Sequence, residues 1–216
     1  MATVPLPAEP EAEACIEAIP VPGASAARAL SIIGHPALVL PLAVSLAAVQ
    51  RGASPQDTWL AGATAVAVSC SVGLYSLLQV KRGRWSHVDA SVPAERLHLN
   101  LFLAGLLLAA AAALWLSSRS LVLAAGLGTS GAIVLAALGT SRRMKLSLHC
   151  AFGAYAAALP WPALSTLAAL AALALAVGWS RLRLRRHTPR EVIAGLAVGA
   201  LAGLGFNLMV AWVAAG

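Results

Sequence analysis

Charged side chains are scarce in this chain and make up only 11% of its 216 residues. Hydrophobic residues account for 60%, and the mean hydropathy is +0.82. No ordinary soluble domain of this length presents such a composition to water, so the soluble globular classes are excluded. The composition predicts an integral membrane protein.

Acidic residues are scarcer than basic ones: 8 Asp and Glu stand against 15 Lys and Arg, which gives a formal net charge of +7. Four of the acids, Glu9, Glu11, Glu13 and Glu17, lie in the N-terminal tail and leave the membrane body strongly basic. A basic membrane body favours phosphate or anionic membrane lipids as partners. Since the apolar segments leave little soluble surface, no nucleic acid is expected to bind.

Cysteine is also rare. Cys15, Cys70 and Cys150 are odd in number and scattered, which gives neither a disulfide framework nor the spacing of metal ligands. The first 23 residues are rich in Pro, Ala and Glu and lack the basic start and apolar run of a secretory signal. We therefore expect residues 1–27 to be a disordered tail and residues 28–216 to form the transmembrane domain.

A transmembrane helix needs about 20 predominantly apolar residues. The fifth apolar segment of this chain is shorter, and the Pro160-Trp161-Pro162 turn after it predicts a tight helical hairpin with the sixth. Merging or discarding the fifth segment leaves six spans, and either count predicts an all-α polytopic bundle. The seven candidate segments are Ala29–Val49, Thr58–Val80, His98–Leu116, Leu121–Gly139, Ser147–Leu159, Ala163–Trp179 and Glu191–Ala214.

Three polar loops should lie on the same side of the membrane. They cover Lys81–Leu97, Ser141–Leu146 and Arg181–Arg190. Because two predicted spans separate each loop from the next, side chains from all three can build one composite site.

The last segment carries a glycine at every fourth position, at Gly195, Gly199 and Gly203. This pattern of small residues lets two membrane helices approach closely. We expect these glycines to serve helix packing rather than chemistry.

The stretch from Ser180 to Glu191 places five arginines, one histidine and one carboxylate between two long apolar segments. Such a charge cluster is costly near hydrocarbon, so it must lie among lipid headgroups or bind an anion. Phosphate is the first candidate for that anion.

The same stretch resembles the third signature of the type 2 phosphatidic acid phosphatase superfamily, which reads Ser-Arg, five residues, His, three residues, Asp. Ser180, Arg181 and His187 match at the correct spacing, and Glu191 replaces the aspartate. The resemblance implies that His187 attacks phosphorus, that Glu191 orients it and that Arg181 binds phosphate.

A second signature of that family reads Pro-Ser-Gly-His, and the matching place here is Leu146-Ser147-Leu148-His149. Serine and histidine are kept, whereas proline and glycine are lost. The resemblance implies that His149 protonates the leaving group and that Ser147 binds phosphate. Lys145, directly before the motif, adds a positive charge.

The first signature, Lys, six residues, Arg-Pro, has a faint counterpart in the loop after the second segment. Arg96 can stand for its arginine as a phosphate ligand, although Asp89 occupies the place of the lysine and Leu97 that of the proline. The missing lysine charge has three candidate sources, Lys145, Lys81 and Arg186.

The resemblance implies a membrane lipid phosphatase with no metal or cofactor. It would hydrolyse a phosphate or diphosphate ester of an isoprenoid or glycerolipid, such as a polyprenyl diphosphate or phosphatidate, through a phosphohistidine intermediate. One alternative is a related protein without phosphatase activity that binds, transports or assembles with lipid phosphates, and the altered signatures favour it. Another is a different isoprenoid-diphosphate enzyme on the same scaffold.

Glu191 also has a structural interpretation. Thr188-Pro189-Arg190-Glu191 has the pattern of a capping box that opens the last helix. Glu191 therefore caps the helix, or caps it and orients His187 as well.

Other polar residues are interpreted without chemistry. His35 interrupts an apolar run in Gly34-His35-Pro36 and is interpreted as a structural or interfacial residue. Juxtamembrane arginines commonly set topology and contact headgroups, and this role is assigned to Arg183, Arg185 and Arg190.

The distribution of Lys and Arg predicts the orientation in the membrane. Twelve such residues lie in the three polar loops, against Arg51 and Arg119 in the opposite loops. Setting aside Arg96, Lys145 and Arg181 for phosphate leaves nine against two. We expect a bacterial cytoplasmic membrane, with the polar loops and the N-terminal tail in the cytoplasm and the C-terminus outside.

Overall fold

The computed structural model describes residues 23–90 and 92–215, and every regular element in those ranges is an α-helix. This confirms the predicted all-α bundle. The helices are α1 (Ala24–Ile33), α2 (Pro36–Gln50), α3 (Pro55–Lys81), α4 (Pro93–Leu116), α5 (Leu121–Thr140), α6 (Leu148–Ala158), α7 (Leu164–Arg183) and α8 (Pro189–Ala215).

Five helices are long and apolar enough to cross a membrane, namely α3, α4, α5, α7 and α8. A sixth span results if the bent pair of α1 and α2 counts as one. The protein is therefore an integral membrane protein. With the bent pair included, the count equals the lower of the two predicted numbers, six, because the fifth predicted segment contains only the 11-residue helix α6.

The first predicted segment, Ala29–Val49, is a bent pair of helices and not one continuous helix. α1 and α2 meet at an angle of 48°, with His35 between them in an extended conformation at φ −66° and ψ 134°. A residue before proline avoids the helical region, and Pro36 is well placed as the first residue of a new helix. Gly34-His35-Pro36 is therefore a helix break.

The N-terminal boundary also differs from the prediction. α1 begins at Ala24, so residues 24–27 of the predicted tail are helical. The rest of that tail, residues 1–22, lies outside the described ranges.

The short helix α6 lies inside the bundle. Six of its 11 residues are buried, and it contacts α2, α5, α7 and α8. The carbonyl of Ala158 at its C-terminal end accepts a hydrogen bond from Asn207 Nδ2 at 3.0 Å, as backbone polar groups away from water require. The turn at Pro160–Pro162 then leads into α7, which confirms the predicted hairpin.

The glycines of α8 face α6 and confirm the predicted packing. A Cβ atom at Gly195 would come within 2.6 Å of the Ser147 carbonyl oxygen, and one at Gly199 would overlap the Ala151 carbonyl oxygen. Gly203 likewise has no room for a larger side chain beside α6. Since the two backbones approach this closely, the start of α6 is fixed beside the start of α8.

α1 packs against α7, and four further helices form two pairs. α2 packs against α3 and α4 packs against α5, whereas α3 and α4 contact each other little. A cavity of about 1920 Å³ lies between the pairs and extends from the α3–α4 loop to the α4–α5 loop at the opposite end. Most of its lining is apolar, and its basic side chains concentrate at the end formed by the α3–α4 loop.

Candidate functional site at the basic mouth

Three loops meet at one end of this cavity. The Lys145 amide in the α5–α6 loop donates to Glu191 Oε1 of α8 at 3.1 Å. In the α7–α8 loop, Arg186 Nη1 lies 3.5 Å from Asp89 Oδ2 of the α3–α4 loop. These contacts place the three polar loops at the same end, as the order of the spans predicted. We call this end the basic mouth, and its lining includes Arg96, Lys145, His149, Arg181, Arg186 and His187.

His187 is held by the carboxylate four residues later. Its Nδ1 lies 3.1 Å from Glu191 Oε2, and only 4% of its side chain is exposed. An ionised carboxylate only accepts hydrogen bonds, so Nδ1 carries the proton and Nε2 keeps its lone pair.

The charge state of His187 follows from its surroundings. Burial lowers the pKa of the imidazole, and the nearby positive charges of Lys145 and Arg181 lower it further. The hydrogen bond and the charge of Glu191 act in the opposite direction. The net lowering keeps His187 neutral at neutral pH, which a nitrogen nucleophile requires.

Glu191 does more than hold the histidine. Its Oε2 accepts the Thr188 backbone N–H at 3.0 Å, and its own N–H lies 3.4 Å from Thr188 Oγ1. These are the two reciprocal bonds of a capping box. Glu191 therefore caps α8 and orients His187 with the same carboxylate, which is the combined role that the sequence left open.

His149 approaches the basic mouth from a different helix. It lies in the first turn of α6 and lines the same cavity as His187. Both His187 and Arg181 are near enough to influence it electrostatically. The histidines of the second and third motifs are thus brought to one cavity, as expected from His187 in a predicted polar loop and His149 directly after another.

Arg181 is the buried cation of the mouth, with 7% of its surface exposed. Its Nη1 donates to Ser31 Oγ of α1 at 2.9 Å. Its Nε is buried and has no hydrogen-bond partner among the described residues. A buried donor without a partner is unfavourable, so the guanidinium has bonding capacity that an anionic ligand can use.

Further positive charge surrounds the mouth. Lys145 Nζ donates to the Arg186 carbonyl oxygen at 3.3 Å. Burial lowers the pKa of Lys145, and the positive charge of Arg96, which lines the same cavity, lowers it further. Lys145 and Arg186, two of the three candidates for the missing lysine charge, therefore line the cavity, whereas Lys81 is not among its lining residues.

Ser147 is placed differently from the other residues of the second motif. Its side chain is fully buried, and its hydroxyl donates to Cys150 Sγ at 3.2 Å. Its backbone N–H donates to the Glu191 carbonyl oxygen at 3.3 Å. In this structure Ser147 therefore joins α6 to α8, and its hydroxyl is not brought to the cavity with the histidines.

His35 is the residue of the mouth that the sequence did not assign to the site. Its ring centroid lies 4.8 Å from that of His149, with the rings nearly perpendicular at 84°. It lines the same cavity. One feature of the sequence could have indicated this position. His35 precedes a proline near the start of the first predicted span, on the side of the membrane where the three polar loops lie.

Comparisons with family models, curated proteins and solved structures give no match to this chain.

Within residues 23–90 and 92–215, no group of three or more His, Cys, Asp or Glu side chains is arranged to hold a metal ion. The chemistry available at the mouth is that of one carboxylate-bound imidazole, two further imidazoles and several cationic donors. Such a set can bind a phosphate group and attack it.

Proposed function

We propose that the protein is a membrane phosphatase that hydrolyses a phosphate or diphosphate ester of an isoprenoid or glycerolipid. The observation that carries the proposal is the bond between His187 Nδ1 and Glu191 Oε2, made in a cavity that also contains His149 and Arg181. The resemblance of Ser180, Arg181 and His187 to the phosphatidic acid phosphatase signature gives independent support from the sequence.

The proposed reaction begins with attack of the His187 Nε2 lone pair on phosphorus. As the N–P bond forms, the bond from phosphorus to the leaving oxygen breaks, and protonated His149 gives its proton to that oxygen. Burial lowers the pKa of His149 most, and the charge of Arg181 lowers it further, so the proton of His149 arrives with the substrate. The negative charge of a bound phosphate favours this protonated form.

Water completes the cycle in a second step. Neutral His149 takes a proton from the water as its oxygen attacks phosphorus, and the N–P bond to His187 breaks. Inorganic phosphate leaves, and both histidines return to their starting states. Arg181 and Lys145 stabilise the equatorial oxygens in each step.

The shape of the cavity supports a lipid ester as the substrate. The cavity continues from the basic mouth between apolar faces of α2, α3, α4 and α5. A lipid chain can remain among these faces while its phosphate reaches the cationic groups.

The decisive experiment compares two variants of the purified protein. Phosphate release from farnesyl phosphate, farnesyl diphosphate and phosphatidate is measured for the natural chain, for His187→Ala and for Arg183→Ala. Arg183, in the last turn of α7, does not line the cavity. We expect His187→Ala to abolish release and Arg183→Ala to retain most of it. Equal losses of phosphate release in the two variants would mean that the stretch from Ser180 to Glu191 acts only as a basic surface.

A second candidate is a lipid-phosphate binding protein without phosphatase activity. The burial of the Ser147 hydroxyl favours it, as does Leu148 in the place of the glycine of the signature. Binding of farnesyl phosphate without release of phosphate by the natural chain would select this candidate.

A further inference from the structure

His35 occupies the break between α1 and α2 and caps α2 with its side chain. Its Nδ1 accepts a hydrogen bond from the Ala37 backbone N–H at 3.1 Å. Only an unprotonated nitrogen can accept this bond. The bond therefore selects the neutral tautomer of His35 in which Nε2 carries the proton.

The Nε2–H group of His35 is a donor without a protein acceptor in residues 23–90 and 92–215. Because Nδ1 faces the first turn of α2, Nε2 on the far side of the ring is directed away from that helix. His35 is an exposed residue and lines the cavity.

The surroundings of this donor suit an anion. His149 lies against the ring at a centroid distance of 4.8 Å, and Arg181 is near enough to interact with it electrostatically. Asp89 is the one nearby carboxylate that influences His35 among the described residues. That carboxylate pairs with Arg186 at 3.5 Å, so part of its negative charge is compensated.

We propose that His35 binds the phosphate group of the ligand by donating its Nε2–H to a phosphate oxygen next to His149. The inference rests on the proposed function only in taking a phosphate ester as the ligand. It adds a third imidazole, contributed by a helix break outside all three motifs, to the groups that contact phosphate.

The capping role of His35 can be separated from this binding role. Serine is a favourable N-cap residue, and its hydroxyl can accept the Ala37 N–H as the imidazole does. His35→Ser therefore keeps the cap and removes the donor to phosphate. His98→Ser is the matched control, because His98 is exposed and does not line the cavity.

Binding of inorganic pyrophosphate is measured by calorimetry at neutral pH for the natural chain and both variants in detergent. Loss of one hydrogen bond to a charged group should weaken binding by about 10-fold or more. We expect this weaker binding of pyrophosphate for His35→Ser and unchanged binding for His98→Ser. Equal affinity of His35→Ser and the natural chain, or no binding by the natural chain, would overturn the inference.

A second variant covers the case in which His35→Ser fails to fold. His35→Asp keeps a favourable cap but replaces the donor with an anionic acceptor, so its pyrophosphate binding should be weaker still. Unchanged binding in a folded His35→Asp protein would also overturn the inference. If the natural chain binds pyrophosphate more tightly than the His35 variants and yet releases no phosphate from farnesyl phosphate, His35 keeps its role and the phosphatase proposal fails.

Discussion

Glu191 Oε2 lies 3.1 Å from His187 Nδ1 and accepts the Thr188 N–H at 3.0 Å. Its other oxygen accepts the Lys145 N–H at 3.1 Å. One carboxylate therefore fixes a helix start, an imidazole tautomer and the end of a neighbouring loop. All of its partners are donors, so no neutral amide can replace it fully.

The first prediction concerns Glu191→Gln. An amide has one accepting oxygen, so either the Lys145 N–H or the pair of Thr188 N–H and His187 Nδ1–H loses its acceptor. The variant also loses the negative charge that stabilises a protonated or phosphorylated His187. We expect kcat for phosphate release to fall by about 100-fold or more, measured with farnesyl phosphate as substrate.

Glu95→Gln is the matched control for this substitution. Glu95 lies in the first turn of α4. Its carboxylate accepts the backbone N–H groups of Ser86 at 2.9 Å and Val92 at 3.4 Å. The same chemical change is thus made at another helix start without a hydrogen-bonded imidazole. If Glu95→Gln lowered kcat as much as Glu191→Gln, the effect would be one of folding.

The second prediction concerns the contact between α6 and α8. In Gly199→Ala the new methyl group would overlap the Ala151 carbonyl oxygen, so the helices must separate. We expect a loss of stability of about 1–3 kcal/mol, seen as a lower thermal unfolding temperature in detergent. Activity should fall with it, because this contact fixes α6, which carries His149, against α8.

Gly205 on the same helix provides the control. A Cβ atom there meets no other atom within 4 Å, and alanine favours helix by up to about 1 kcal/mol over glycine. Gly205→Ala should therefore match or exceed the stability of the natural chain. Similar unfolding temperatures for the two variants would contradict the close packing at Gly199.

The third prediction is a pH dependence. His187 must be neutral to attack phosphorus, so activity is lost as the pH falls through its pKa. Burial and the charge of Lys145 hold that pKa below its ordinary value of 6.5. The acid limb of the kcat/KM profile should therefore lie below pH 6.5.

Lys145→Gln tests the cause of this shift. Removing a positive charge makes protonation of His187 easier, so the pKa rises and the acid limb moves to higher pH. Lys81→Gln, which removes a positive charge outside the cavity lining, should leave the limb in place. An unmoved limb in Lys145→Gln would show that Lys145 does not set the charge state of His187.

The fourth prediction is the orientation in the membrane. The surplus of Lys and Arg in the polar loops predicts that the basic mouth faces the cytoplasm and that the C-terminal end of α8 lies outside. A C-terminal alkaline phosphatase fusion should be active in bacteria, and a C-terminal green fluorescent protein fusion should be dark. The opposite pair of results would place the mouth outside.

Much of the site could be predicted from the sequence because its key contacts are local. Glu191 lies four residues after His187 and three after Thr188, which is the spacing of neighbours at a helix start. The number of apolar segments then predicts that His149 lies at the same end of the bundle as His187. Neither step requires knowledge of how the helices pack.

The positions of His35 and Ser147 depend on packing and could not be predicted in this way. His35 reaches His149 only because the first segment breaks at Pro36 and α1 lies against α7. The Ser147 hydroxyl turns to Cys150 where α8 covers the start of α6 with Gly195. A proline signals a break and a glycine signals close approach, but neither identifies the partner.

The short length of α6 also imposes an order on biosynthesis. A helix of 11 residues is too short to span the bilayer unaided, and α8, which packs along it, is synthesised after it. We expect α6 to settle only after α8 has inserted beside it. A nascent chain in which α8 has not yet inserted would carry the basic loops without an assembled mouth.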